Sequence, residues 1–198
     1  YGEGRQYESV FEGVKTIKIK DPFYIRPSRG LTGLKRFFHR AANIVSRILY
    51  YNRYPLRSSL LVKRYIDAIS KTVNNGNNVV IVASYTPIEG VVAAAKYKKN
   101  NSNSRIIYYS TDTLSNEQGE SGFLSPKKRT ELGLKWEKLL FSIYDRIILM
   151  ECHRAHYEKE FFGPYKNKFV FVSFPLIVRQ DTGRSKYNSQ TSKKIVFA

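Results

Sequence analysis

Four short apolar runs, at 78–84, 105–110, 146–150 and 168–174, alternate with stretches of helical character, and no other feature constrains the fold as strongly. The first run is followed by a helical segment at 87–99. The second is followed by a polar loop and a helix at 129–144, and the third by a helical segment at 153–161. A strand, helix, strand, helix order makes the strands parallel, because each crossover helix returns the chain to the same end of the sheet. The run 79–83 is apolar at every position, which predicts burial on both of its faces. The expectation is an α/β chain, Rossmann-like and doubly wound, with a mainly parallel sheet and helices on both faces.

Upstream, 7–20 reads as a turn and a strand with Val14, Ile17 and Ile19 apolar, and the Pro- and Gly-containing stretch 21–33 reads as a loop. A helix is predicted at 58–73, with Leu60, Leu61, Tyr65, Ile66 and Ile69 facing the core and Asn74-Asn75-Gly76 ending it. A basic amphipathic helix is predicted at 34–51. Its apolar residues Leu34, Phe37, Phe38, Ala41, Ile44, Val45, Ile48 and Leu49 recur every three or four positions, with Arg36, Arg40, Asn43 and Arg47 opposite. Two roles fit that pattern. Phe37, Ala41, Ile44 and Ile48 pack on the sheet while the arginines stay solvated, or the helix lies in an anionic membrane interface through Lys35, Arg36, Arg40 and Arg47.

The chain has 198 residues and is 42% hydrophobic, enough for one buried core and against intrinsic disorder. Its 34 Lys and Arg against 16 Asp and Glu give a net charge of +18, which favours a nucleic acid, an anionic lipid surface or a phosphorylated acceptor as partner. A nucleic-acid module is the rival class, but the sequence carries no zinc-finger pattern and no RNP-type aromatic strand. Cys152 is the only cysteine, which rules out a disulfide scaffold within the chain and favours a reducing, cytoplasmic setting. The scattered His39, His153 and His156 make a poor metal set. The longest apolar stretch, 79–95, is broken by Pro87 and Glu89 and is too short to cross a bilayer.

Ligands of parallel sheets bind at the carboxyl ends of the strands, so the candidates are the residues that close each run. Thr86-Pro87-Ile88-Glu89 has the form of a capping box, with Thr86 as N-cap, and an N-terminus there would offer free N–H groups to an anion or a sugar hydroxyl. Asp112 and Thr113 open a polar loop at 114–125 containing Glu117 and Glu120, and an Asp112 carboxylate suits a substrate hydroxyl as well as an Asx-turn. Glu151 and His153 close the third run, where a general acid/base pair is chemically possible or the histidines simply begin a helix. Neither a P-loop, a dinucleotide-binding Gly-x-Gly-x-x-Gly after a strand, nor a nucleophile elbow is present.

In order, Val79-Val80-Ile81-Val82-Ala83-Ser84 with its helix, Arg105 to Asp112, Glu137 to Ile148 and Phe169 to Pro175 resemble the N-terminal domain of GT-B-fold glycosyltransferases. In particular they resemble the large retaining family that includes bacterial capsule, lipopolysaccharide and other polysaccharide-building enzymes. The family's first strand and Gly-rich loop are not found before Tyr7, and its histidine or small-residue positions are here Asp112 and Thr113. The resemblance implies an acceptor-side domain at 1–178, then a linker and the first strand of a truncated C-terminal domain at 179–198, with N-terminal residues missing. It implies glycosyl transfer from a nucleotide-sugar, held mainly by the absent C-terminal domain, to a saccharide or lipid-linked acceptor, without a required metal. The acceptor-side candidates are then Thr86, Asp112, Thr113, Glu151 and His153; the expected location is cytoplasmic, with the basic helix at 34–51 offering peripheral docking at the inner face of the membrane.

Overall fold

Each apolar run forms a strand, and the strands lie in one parallel sheet. The computed structural model describes residues 7–11, 14–25, 30–73, 79–115, 124–173 and 195–197. Strands β1 (Tyr7–Phe11) and β2 (Val14–Lys18) pair antiparallel as a separate ribbon. Helices α1 (Gly33–Leu49) and α2 (Ser59–Thr72) follow. The alternating part comprises β3 (Val80–Ser84), α3 (Ile88–Asn100), β4 (Arg105–Ser110), α4 (Pro126–Ile143) and β5 (Arg146–Met150). It continues through the short α5 (Arg154–Tyr157) to β6 (Phe169–Val172) and β7 (Ile195–Phe197). The sheet order is β6-β5-β4-β3-β7, all parallel, the Rossmann-like α/β arrangement that the alternation predicts.

The register explains the core. Ile81 pairs with Ile106, and Ala83 with Tyr108, which pairs in turn with Ile147, so these side chains share one face. All are buried there, against Val91, Leu140 and Phe141. The Phe141 ring in α4 meets those of Tyr108, Tyr157 and Phe169 at centroid distances of 6.2, 5.8 and 5.5 Å. The run 79–83 differs from expectation, because Ile81 and Ala83 are fully buried while Val80 and Val82 are only half-buried. An apolar run therefore marks a central strand here without requiring equal cover on its two faces.

Other boundaries also shift. Helix α4 starts at Pro126, not 129, because Ser125 accepts a hydrogen bond from Lys128 N and Pro126 stands in the first turn, both usual start signals. The stretch 153–161 is not one helix: 3₁₀ turns at Glu151–His153 and Glu160–Lys168 flank the four residues of α5. In α2, Ser58 is the N-cap, Leu61 and Ile69 are buried, and Leu60, expected in the core, is exposed. The ammonium of Lys168 donates to the carbonyls of Phe141, Ser142 and Tyr144 and so closes the end of α4. Ile195–Phe197, expected to open a further domain, forms β7, in register with Val80–Val82. The helix stop at 74–76, the loop residues 116–123, Phe174-Pro175 and the linker 179–194 lie outside the described residues.

Burial dictates an alkaline limit to stability. Desolvation pushes the phenols of Tyr108, Tyr144 and Tyr157 well above their ordinary value near 10, and that of Tyr65 up to about 12. These groups stay neutral in the folded chain while their unfolded counterparts ionise. The stability they protect is therefore complete below pH 10 and is lost as the pH rises from 10 towards the folded values. Each fully buried phenol costs about 1.4 kcal/mol per pH unit in that window, so three remove roughly 4 kcal/mol per unit. Urea midpoints should fall steeply above pH 10, with the phenolate absorbance of the buried tyrosines added to that of exposed ones such as Tyr51 only on unfolding. A midpoint flat to pH 11.5 would show that these hydroxyls are not sequestered.

Candidate functional site

At the carboxyl end of β3 the expected capping box does not form. Pro87 is the N-cap of α3, in an extended conformation (φ −81°, ψ 148°), so the helix begins one residue later than the sequence suggests. Thr86 is exposed and outside the helix. Glu89 is 4% exposed and does not reach back to its own helix start. Its Oε1 accepts from Arg57 N at 2.7 Å and Ser58 N at 3.1 Å, tying the start of α2 to α3. A carboxylate captured by another helix's free amides makes two charge-assisted bonds, which outweigh a local box. Thr86, Tyr85, Arg57, Glu89 and Leu114 border a cavity of about 210 Å³. That is smaller than the roughly 300–1,000 Å³ of small-molecule sites, the size of a subsite open to the crevice.

At the end of β4, Asp112 Oδ1 accepts from Thr113 N at 2.7 Å, a contact to the next residue and not an Asx-turn. The Ser110 hydroxyl donates to the Asp112 carbonyl. The Asp112 side chain remains half-exposed, and His153 Nε2 from the end of β5 lies 3.8 Å from its Oδ1. Thr113 is fully buried, its hydroxyl closed to solvent and without a hydrogen-bond partner among the described residues.

Glu151 is engaged elsewhere. Arg154 Nε and Nη2 meet its two oxygens at 2.5 and 2.9 Å, and these bonds hold the carboxyl below its ordinary value. The Arg154 guanidinium also lies 4.0 Å above the centre of the Phe171 ring. The structure thus brings His153 to Asp112 instead of to Glu151. A carboxylate beside an imidazole, both reaching solvent at adjacent strand ends, can orient a hydroxyl and relay its proton.

A buried network beneath this pair has no counterpart in the sequence reading. Glu137 is fully buried in α4; its Oε1 accepts from Leu114 N (2.9 Å), Ser115 N (3.4 Å) and the Tyr157 hydroxyl (3.1 Å). Its Oε2 accepts from the Ser115 hydroxyl at 2.6 Å. That bond uses the only hydroxyl proton, so His156 Nε2, 2.8 Å from Ser115 Oγ, is the donor there. The network fixes the turn after Asp112. Its signal was available: Glu137 follows Gly133 by one turn and precedes Phe141 by one turn, a lone acid within the buried stripe of α4.

Among the described residues, no three His, Cys, Asp or Glu side chains gather as a metal-holding group, and no helix is long and apolar enough to cross a membrane. No family model, curated protein or solved structure matches this chain.

Proposed function

We propose that this chain is the acceptor-side domain of a GT-B-type glycosyltransferase, passing a sugar from a nucleotide-sugar to a hydroxyl of a saccharide or lipid-linked acceptor. The observation that carries the reading is the convergence of Asp112 and His153 at the carboxyl ends of β4 and β5, one strand away from the cavity beside Thr86. Asp112 receives the acceptor hydroxyl, His153 shares its proton, and Thr86 contacts the sugar ring from the end of β3. The nucleotide-sugar is held mainly by a domain following this one. Glu151, paired with Arg154, shapes the rim of the crevice.

The test uses a chain extended past Ala198, in a thermal-shift titration with nucleotide-sugars followed by a transfer assay. A bound donor at one hundred times its Kd stabilises by about 2.7 kcal/mol. Asp112→Asn and His153→Gln should each lower transfer on the order of 100-fold. Their melting temperatures should stay put, since both side chains are partly in solvent. Wild-type transfer by both variants would remove these residues from the reaction. Stabilisation by nucleic acid with no response to any nucleotide-sugar would overturn the enzyme reading.

A further inference from the structure

Helix α1 is mounted the wrong way round for a globular protein. Its polar stripe faces inward: His39 is buried with its ring edge-on to Phe23 at 5.1 Å, Asn43 Nδ2 donates to Tyr24 O at 2.7 Å, and Ser46 Oγ donates to Arg57 O at 3.3 Å. Its apolar stripe faces outward. Leu34, Phe37, Phe38, Ile44, Val45, Ile48 and Leu49 are between 48% and 71% exposed. The expectation that Phe37, Ile44 and Ile48 pack on the sheet is therefore overturned. Isolated apolar residues on a surface are ordinary, but seven on one helical face form a patch of the kind that marks a contact surface.

The charges beside that face identify what it meets. At 100° per residue the apolar stripe is flanked on one side by Arg40 and Arg47 and on the other by Lys35, while Arg36 lies further round, next to Asn43. The helix contains no Asp or Glu, and the chain as a whole carries +18. An apolar stripe with cations along both edges is complementary to a bilayer surface, where the stripe enters the acyl boundary and the cations meet lipid phosphates. We propose that α1 lies in the plane of an anionic bilayer, apolar face down, with its polar face holding the domain above it. The hold is direct. Asn43 and Ser46 grip Tyr24 and Arg57, the Tyr24 hydroxyl bonds Ser58, and Arg57 both borders the crevice cavity and donates its amide to Glu89. A chain docked through α1 therefore carries the crevice close to the lipid.

Co-sedimentation with phosphatidylglycerol vesicles and with phosphatidylcholine vesicles tests the proposal, with sedimentation velocity of the lipid-free chain alongside. The chain should bind the first and not the second, and salt should release it. Lys35→Gln with Arg40→Gln, one cation from each edge, should weaken binding on the order of 25-fold, about five-fold for each cation withdrawn. Phe37→Ser with Phe38→Ser should weaken it by roughly tenfold or more. The melting temperature should not fall, because neither ring is buried. Equal binding of both lipids, or vesicle binding indifferent to both double variants, would overturn the proposal. So would a stable dimer dissolved by Phe37→Ser and Phe38→Ser, which would assign the face to a second copy. These outcomes are independent of nucleotide-sugar binding, so the proposal stands or falls separately from the transferase reading.

Discussion

Glu137→Ala should be among the most damaging single substitutions in this chain. The carboxylate accepts from two consecutive amides and two hydroxyls, all within buried surroundings, and alanine offers none of them an acceptor. An unsatisfied buried donor costs about 1–3 kcal/mol, and bonds to a charged group are the stronger kind. A loss of about 4 kcal/mol or more is expected, which for a domain of this size lowers the melting temperature by roughly 8–16 °C. Glu137→Gln keeps the shape and one acceptor oxygen but turns an amide towards donors that already need partners, so it should fall between alanine and the parent. Urea unfolding of the three proteins decides the matter. An alanine variant as stable as the parent would mean that the turn at 114–115 holds without the carboxylate.

Gly133→Ala should come next, and its sign is the informative part. In an ordinary helix interior the change gains about 1 kcal/mol from propensity. Here a Cβ would stand 2.3 Å from the Leu114 carbonyl oxygen and 2.6 Å from Ser115 Cα, and backbone cannot swing aside as a side chain can. Overpacking of this kind costs about 1–3 kcal/mol and should exceed the propensity gain. Gly133 and Glu137 lie one turn apart against the same two residues: the glycine lets the helix approach, and the carboxylate then satisfies the amides it approaches. Their substitutions should be less than additive, because either one already separates α4 from the turn. A stabilised Gly133→Ala protein would show that the helix can retreat at no cost.

What the sequence discloses is set by how local each interaction is. The strands β3, β4 and β5 were legible because their apolar runs are bounded by turn residues and separated by helical stretches, and register follows once they are adjacent. The helix pattern of α1 was equally plain, but its orientation was not. Periodicity says that one face differs from the other, and only the partners of Asn43 and Ser46 say which face points inward. Glu89 shows the same limit. Its spacing from Thr86 fits a capping box, yet its acceptor was claimed by amides more than thirty positions upstream, beyond any local pattern. The candidate site divides likewise. Positions at strand ends could be named in advance, but the pairing of His153 with Asp112, and of Glu151 with Arg154, depends on rotamers that spacing does not fix.

The place of β7 bears on the order in which the sheet assembles. Strands β3 to β6 are neighbours in sequence order, so each can be zipped to the last by a short crossover. By contrast, Val80 and Ile195 are partners although more than half the chain separates them. Closing that loop costs more chain entropy than any other pairing in the sheet and returns, among the described residues, a three-residue ladder. Folding should therefore proceed outward from β3 towards β6, with the opposite edge completed last and opening first. Amides of β7 are expected to exchange with solvent well before those of β4, through an edge that loosens while the centre stays shut.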